Sequence, residues 1–343
     1  MMSDFMPGIE LSRAFYGEVV RPLLTGTRHS AALIGPGSEV LSFDTSRSMD
    51  HDWGPRVLVF TEPERVGEAR AAVAAGVPER FHGFPTLIGE RHGVVVSDPE
   101  TWTTDRLGFD PRSGMGVLDW LATPWQALAE ITGGEVFHDG LGALEEVRRA
   151  VAWYPEPVWR YVLACQWRRI AVEESFPGRC AEVGDDLGAT VETARLVREM
   201  ARLAMLMRRR YPPYAKWLGS ALARLPGSAE LGDALAAALA ARDWPSRERH
   251  MSRAYELLAL LHNRLSLTGP LDAEVRPFHD RPFKVIGADR FAAALAEGIG
   301  ETEVAALPRV GSVDQFAEGE VIMNPGMART VARAVLRLDS RGG

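Results

Sequence analysis

Four residues in one short stretch have the types and spacing to handle a phosphate and a divalent cation. They are Gly37, Ser38, Asp50 and Asp52, within LIGPGSEVLSFDTSRSMDHDWGPRVLVF at 33–60. An apolar run ends in Gly35, Gly37 and Ser38, where a tight turn can bring backbone N–H groups and a hydroxyl close to an anion; a helix starting there would add its positive end. Eleven residues separate Ser38 from Asp50, and Asp52 follows at i+2. On an extended segment that alternation places both carboxylates on one face and His51 on the other. Two acids side by side repel unless a cation sits between them. Oxygen-only donors suit a hard ion, and Mg²⁺ takes one or two carboxylates plus substrate phosphates. Taken singly, the pieces are an ordinary turn and a solvated strand end. Together they point to phosphoryl or nucleotidyl transfer.

The arrangement resembles the signature of the nucleotidyltransferase superfamily: Gly-Ser after an apolar strand, about a dozen residues, then Asp-x-Asp on the next strand. The longer string GSEVLSFDTSRSMDHDWGPR is similar to a branch of largely uncharacterised bacterial proteins that carry a nucleotidyltransferase-like domain of unknown function. The resemblance implies that Asp50 and Asp52 are metal ligands for Mg²⁺ and that Gly37 and Ser38 hold the triphosphate. It also implies a third carboxylate on a later strand, and there the chain departs from the pattern. The candidate strand reads Val94-Val95-Val96, with no acid at its centre. Asp98, at its end, is the nearest catalytic candidate, although Asp98-Pro99-Glu100 is also an ordinary strand-to-helix turn; Glu90 is a weaker one.

At 343 residues the chain exceeds one typical domain. Apolar residues make up 46% and charged residues 25%, the balance of an ordinary globular protein. A net charge of −7 disfavours a broad grip on nucleic acid, which needs a basic face. No apolar run reaches the length of a membrane span, and MMSDFMPGIE lacks a signal-peptide pattern, so the expected compartment is cytoplasmic and no membrane partner is expected. Cys165 and Cys180 have no zinc spacing; Cys165 falls in an apolar helical pattern as a core thiol.

The elements that must position these residues follow from periodicity. Leu11, Phe15, Val19 and Leu23 predict an amphipathic helix over 8–24 that feeds the Leu33–Ile34 strand. Arg28 and His29 lie just before that strand and suit a surface turn. Val57–Phe60 continues the sheet beyond Gly54-Pro55, where proline predicts an edge or a bulge. A helix over ERVGEARAAVAAG, a hairpin of 84–88 with 94–98, and a short strand and turn at 135–140 complete the first part. His138 and Asp139 there read as turn chemistry. From 143 the pattern is helical to about 270, and a less regular tail carries Arg276-Pro-Phe-His-Asp-Arg-Pro-Phe283. Arg195, Arg198 and Arg202 share a stripe, read as a solvated face, with one contact to a triphosphate as the alternative. His262 and Asn263 close the last long helix as packing or capping residues.

The fold class expected is α+β: a small mixed-sheet, polymerase-beta-like nucleotidyltransferase domain at 1–142, an all-helical bundle at 143–268, and an extension at 269–343 packing on both. In Tyr211-Pro-Pro-Tyr-Ala-Lys216-Trp217 two prolines restart the chain, and Lys216 falls in the first turn of a new helix. A cation there opposes the helix dipole and is better explained if an anion arrives. Superfamily members with helical second domains place a lysine after a tyrosine-bearing turn on the β/γ-phosphates, which implies that Lys216 is a phosphate-binding residue; the plainer reading is a lysine lying along Trp217. The function expected is Mg²⁺-dependent transfer of an NMP from an NTP to a hydroxyl of a small-molecule acceptor. The alternative is a nucleotide-binding or regulatory protein of the same fold without turnover.

Overall fold

The computed structural model describes residues 5–50, 53–88 and 91–338. Asp52, His51 and Glu90 lie outside the described residues. The chain forms two compact units, one comprising 1–116 and 126–152, the other 117–125 and 153–343. Position 142, the boundary expected from the sequence, precedes a helix that stays in the first unit. Both the small mixed sheet and the many helices of an α+β protein are present.

The first unit is built on a four-stranded sheet. Its strands are β1 (His29–Leu33), β2 (Val57–Thr61), β3 (Val94–Ser97) and β4 (Glu135–Asp139), in the order β3-β2-β1-β4. β1 runs antiparallel to both neighbours, while β2 and β3 are parallel. Every residue of β1 is buried. Its centre, Ser30-Ala31-Ala32, carries small side chains, so layers on both faces can approach closely. Ala31 joins a cluster with Leu11, Phe15, Val59, Val73 and Val96, and Ala32 joins one with Ile34, Phe60 and Leu144.

Helix α1 (Gly8–Phe15) supplies one face, and its continuation departs from the predicted stripe. The next turn, Tyr16–Val20, is a π-turn, which holds more residues than an α-turn. The fully buried apolar residues are therefore Leu11, Phe15, Val20 and Leu24, beside buried Ser12 and Tyr16, whereas the expected Val19 and Leu23 are only half-buried. The wider turn sits just before Pro22, which has no N–H for an i→i−4 bond. It also brings the Tyr16 hydroxyl 3.0 Å from His29 Nε2.

Two further expectations are corrected. β2 is an interior strand, and Pro55 lies outside its ladder rather than at a sheet edge. The predicted hairpin of 84–88 with 94–98 does not form. Phe84–Pro85 pairs with Arg80–Phe81, Leu87–Ile88 pairs with Arg91–His92, and β3 joins β2 in parallel. Gly93 permits this: its N–H donates to Thr86 O and its carbonyl accepts from Val57 N, and a Cβ there would stand 2.2 Å from Pro55 O. Helices α2 (Val66–Gly76), α3 (Pro99–Leu107), α4 (Trp125–Thr132) and α5 (Ala143–Ala150) complete the element order of this region.

The second unit is helical, with α6 (Glu156–Glu173), α7 (Asp186–Met207), α8 (Ala229–Ala240), α9 (Trp244–Arg264), α10 (Asp289–Glu297) and α11 (Pro325–Val335) as its longer members. α6 and α7 pack together, α8 lies on α9, and α10 of the tail lies on α6. Glu174 fastens that tail by accepting the backbone N–H groups of Ile286, Gly287 and Ala288 at 3.0–3.1 Å. Cys165 is a buried thiol, which burial pushes up to about 12, and Cys180 is also free. No helix among the described residues is long and apolar enough to cross a membrane.

His262 is 1% exposed; Trp167 Nε1 donates to its Nδ1 at 3.2 Å, and Nε2 lies 3.0 Å from Thr268 Oγ1. Burial pushes the imidazole down to about 4. In the unfolded chain it titrates near the ordinary ~6.5, so the unfolded state binds the extra proton and stability falls as pH drops from about 6.5 toward 4. Substituting His262→Gln removes that dependence. The stability difference between wild type and variant should narrow by on the order of 2 kcal/mol between pH 7.5 and 4.5 in denaturant titrations; a constant difference would refute the assignment.

Candidate functional site

The Gly-Ser turn emerges directly from the end of β1. Gly35 has φ +89° and Gly37 φ +145°, left-handed conformations that favour glycine. Gly35 N–H donates to Glu130 O at 3.0 Å, tying the turn to α4. Ser38 precedes a single 3₁₀ turn, Glu39–Leu41, and accepts from Phe43 N at 2.8 Å through its carbonyl. The positive end of a long helix is therefore absent from this turn.

A charged group the sequence reading passed over lies against it. Arg56 Nη2 donates to Pro36 O at 2.7 Å and forms an ion pair with Glu39, while its backbone N–H donates to Ser12 Oγ at 3.2 Å. A Cβ on Gly37 would stand 2.3 Å from Arg56 Nη2 and 2.7 Å from Glu39 Oε1. Glu39 is 1% exposed; burial pushes its carboxyl upward and the Arg56 charge opposes that shift. Arg56 Nε is buried without a hydrogen-bond partner. The turn is thus backed by a guanidinium with donor capacity in reserve. Glu39 gave no signal in the sequence, since an acid after Gly-Ser reads as solvated, and Arg56 registered only as the end of WGPR.

The acid pair is reached by a different path from the one expected. Asp50 closes a 3₁₀ helix, Ser46–Asp50, so the chain entering the pair is coiled and not an extended strand. β2 begins only at Val57. Of the other acids in this loop, Asp44 is already engaged: its Oδ2 accepts Gly8 N at 2.7 Å and Trp53 Nε1 at 3.2 Å. Among the described residues no three His, Cys, Asp or Glu side chains group as metal ligands.

Asp98 follows β3 and caps α3, with Oδ1 accepting Thr101 N at 2.9 Å. Burial raises its carboxyl, but the Thr101 amide and hydroxyl outweigh this and hold it below the ordinary value. Lys216 belongs to the second unit, in the 3₁₀ turn Ala215–Trp217. Its ammonium lies 4.7 Å from the Trp217 ring centre and 5.8 Å from that of Tyr214. Gly37, Ser38, Asp50 and Asp98 all lie in the first unit.

Other residues noted in the sequence serve structure. At the opposite end of β1, His29 Nδ1 donates to Thr27 O and Arg28 Nε to Gly140 O, beside an open cleft of about 600 Å³. Asp139 accepts from Ser30 Oγ and Glu145 N. Asn263 exchanges two hydrogen bonds with Leu271, pinning the tail to α9.

Residues 120–218 match the family model described as a domain of unknown function, DUF4037. That segment includes Lys216 and the arginine stripe, and it excludes the Gly37–Asp52 stretch. No curated protein and no solved structure matches the chain.

The capping geometry makes Asp98 testable. Asp98→Ala should destabilise the protein by about 1 kcal/mol, and Asp98→Asn, which keeps the cap, by far less. If Asp98 acts only as a cap, nucleotide turnover should follow stability through both variants. Loss of turnover in a fully stable Asp98→Asn protein would give it a chemical role.

Proposed function

We propose that this protein binds Mg²⁺ with an NTP and transfers the NMP to a hydroxyl of a small-molecule acceptor. The observation that carries the reading is the Gly35–Ser38 turn at the end of β1, backed by Arg56, in the same unit as the acid-bearing loop. Backbone N–H groups at such a turn, with a guanidinium behind them, suit a polyphosphate. Asp50 and Asp52 would hold the Mg²⁺, which supplies charge neutralisation for the phosphates. In-line transfer needs little from the chain beyond positioning and that neutralisation. The parallel β2–β3 pair beside an antiparallel β1 agrees with the mixed sheet that the superfamily resemblance implies.

A second reading has its own support. β3 carries no acid, and Asp98 is occupied at the head of α3. Both features favour a protein that binds nucleotide without turnover. Pyrophosphate release separates the two readings: Mg·NTP-dependent release with an acceptor supports the transferase, whereas saturable Mg·NTP binding with no release under any acceptor supports the binding protein.

The metal assignment is checked by replacing both acids. Asp50→Asn with Asp52→Asn should abolish Mg²⁺-dependent NTP binding and leave the stability of the nucleotide-free protein unchanged or raised, because like charges are removed. Wild-type Mg·NTP affinity in the double variant would end the proposal.

Lys216 extends the proposal to the DUF4037 segment. Lys216→Ala should weaken NTP binding by about 1.5–3 kcal/mol, the worth of one charge-assisted contact, and leave NMP binding level. Its stacking on Trp217 limits the stability cost to about 1 kcal/mol. Equal losses for NTP and NMP would make Lys216 a prop for the ring pair, and no loss would make it a surface residue.

A further inference from the structure

The second unit contains an open cavity of about 600 Å³ between α6, α7 and the segment that follows Ser312. Arg169, Arg195 and Arg198 line it, together with Asp314 and Glu318. The arginine stripe of α7 is therefore not a uniformly solvated face. Arg198 and Arg202 of that stripe, with Arg169 from α6, are held from behind by Glu199, which is 0% exposed. Glu199 Oε2 takes Arg169 Nε at 3.1 Å and Gln166 Nε2 at 2.8 Å, and its Oε1 takes Arg198 Nε at 3.3 Å and Arg202 Nη1 at 3.4 Å. Gln166 is fixed in turn by Gln315 at 2.9 Å.

This is a supported array of guanidinium groups with capacity left over. Each arginine has five N–H donors. Among the described residues, Arg195 pairs with Glu173 alone, through Nη2 at 2.6 Å. Arg198 gives Nε to Glu199 and Nη2 to Glu318. Arg169 gives Nε to Glu199 and Nη1 to Gln315 O. The charges nearly cancel while Glu318 is present: Arg169, Arg195, Arg198 and Arg202 stand against Glu173, Glu199, Asp314 and Glu318. Glu318 differs from the other three acids: its side chain is 60% exposed, where that of Glu199 is 0% and that of Glu173 10%, and Asp314 is buried. An ion pair that exposed contributes little to stability, so its acid can leave at small cost. What remains then carries an excess positive charge and free forked donors.

We infer that this cavity is a site for a phosphate group, gripped by Arg195, Arg198 and Arg169, with Glu318 as the internal carboxylate that occupies part of it when no ligand is bound. A phosphate dianion has more acceptor oxygens than a carboxylate and matches the arginine fork. It can therefore bridge Arg195 and Arg198 where Glu318 reaches Arg198 alone. The shared chemistry covers free inorganic phosphate and a phosphate monoester on a larger molecule. The site uses neither Asp50 nor Asp52 and needs no metal, so it stands apart from the proposed nucleotide site.

The test is calorimetric titration of the full chain with inorganic phosphate in EDTA, at constant ionic strength set by chloride. EDTA removes the Mg²⁺-dependent binding on which the nucleotide proposal depends, so either can fail without the other. Wild type should bind one phosphate saturably. Glu318→Gln, which frees Arg198, should bind at least about threefold tighter, and Arg195→Ala, at a half-exposed position, about tenfold weaker. Arg195→Lys should fall between, since it keeps the charge and loses the fork. A phosphate monoester such as glycerol 3-phosphate then distinguishes the sources: tighter binding than phosphate indicates a larger ligand, and equal binding indicates the free ion. No saturable phosphate binding in both wild type and Glu318→Gln, or binding indifferent to Arg195→Ala, overturns the inference. Unchanged melting of the Glu318 and Arg195 variants guards the reading against loss of fold.

Discussion

One buried carboxylate gathers a polar network in the interior of the second unit. Glu199 is closed off from water on α7, yet four side chains from two helices converge on it. Burial alone would raise its carboxyl; the charges of Arg202 and Arg169 reverse that and hold it low. It is therefore ionised in the folded state, and its contribution is present above the ordinary carboxylate range and lost as acid titrates it. A buried ion network of this kind adds little net stability over an apolar core, but removing its centre strands three guanidinium groups. Its value is orientation. Through Gln166 and Arg169 it also fixes the backbone of the Asp314–Gln315 segment, so the far end of the chain is positioned by an acid on α7.

The same segment is pinned from another side. Asp314 Oδ2 accepts the N–H of Trp125 at 2.9 Å, and burial pushes the Asp314 carboxyl up to about 6. Trp125 Nε1 donates to Tyr154, and the Arg202 guanidinium stacks 5.6 Å from the Trp125 ring. Arg202 Nη1 thus reaches both the Glu199 carboxylate on α7 and the backbone carbonyl of Asp314 in the tail. The DUF4037 segment supplies Trp125, Gln166, Arg169, Glu199 and Arg202, while Asp314 and Gln315 come from outside it. The matched stretch therefore draws part of its polar network from a tail that the match does not include.

What the sequence made legible was set by how local the cause was. Helices with strong periodicity, strands rich in valine, and the cap at Asp98-Pro99 could all be read from neighbouring residues. The α+β division followed from where those patterns changed. Pairing could not be read so directly. β3 looked like the return of a hairpin because its neighbours in sequence are strands, but its ladder depends on Gly93 fitting against Pro55. Asp50 looked extended because the family pattern puts its acids on a strand, whereas SRSMD coils into a 3₁₀ turn. Glu39 and Arg56 were invisible as a pair since their partnership spans the loop between two strands. The arginine stripe was seen, but the acid buried behind it was not, because Glu199 sits between Arg198 and Arg202 in a sequence that looks uniformly charged.

The wide turn at Tyr16–Val20 divides the first helix into two frames. The apolar pair Leu11 and Phe15 is four apart upstream, Val20 and Leu24 are four apart downstream, and a step of five joins the pairs. Such a step is a phase shift of the kind a one-residue insertion leaves in a helix. Were the same residues wound as regular α-helix, without the wide turn, everything before them would rotate by about 100° relative to the sheet. Leu11 and Phe15 would then swing off the core, and Gly8 would leave its place against Glu39. The length of that one turn, more than the identity of any residue in it, keeps the start of the chain in register with the loop bearing the glycines and acids.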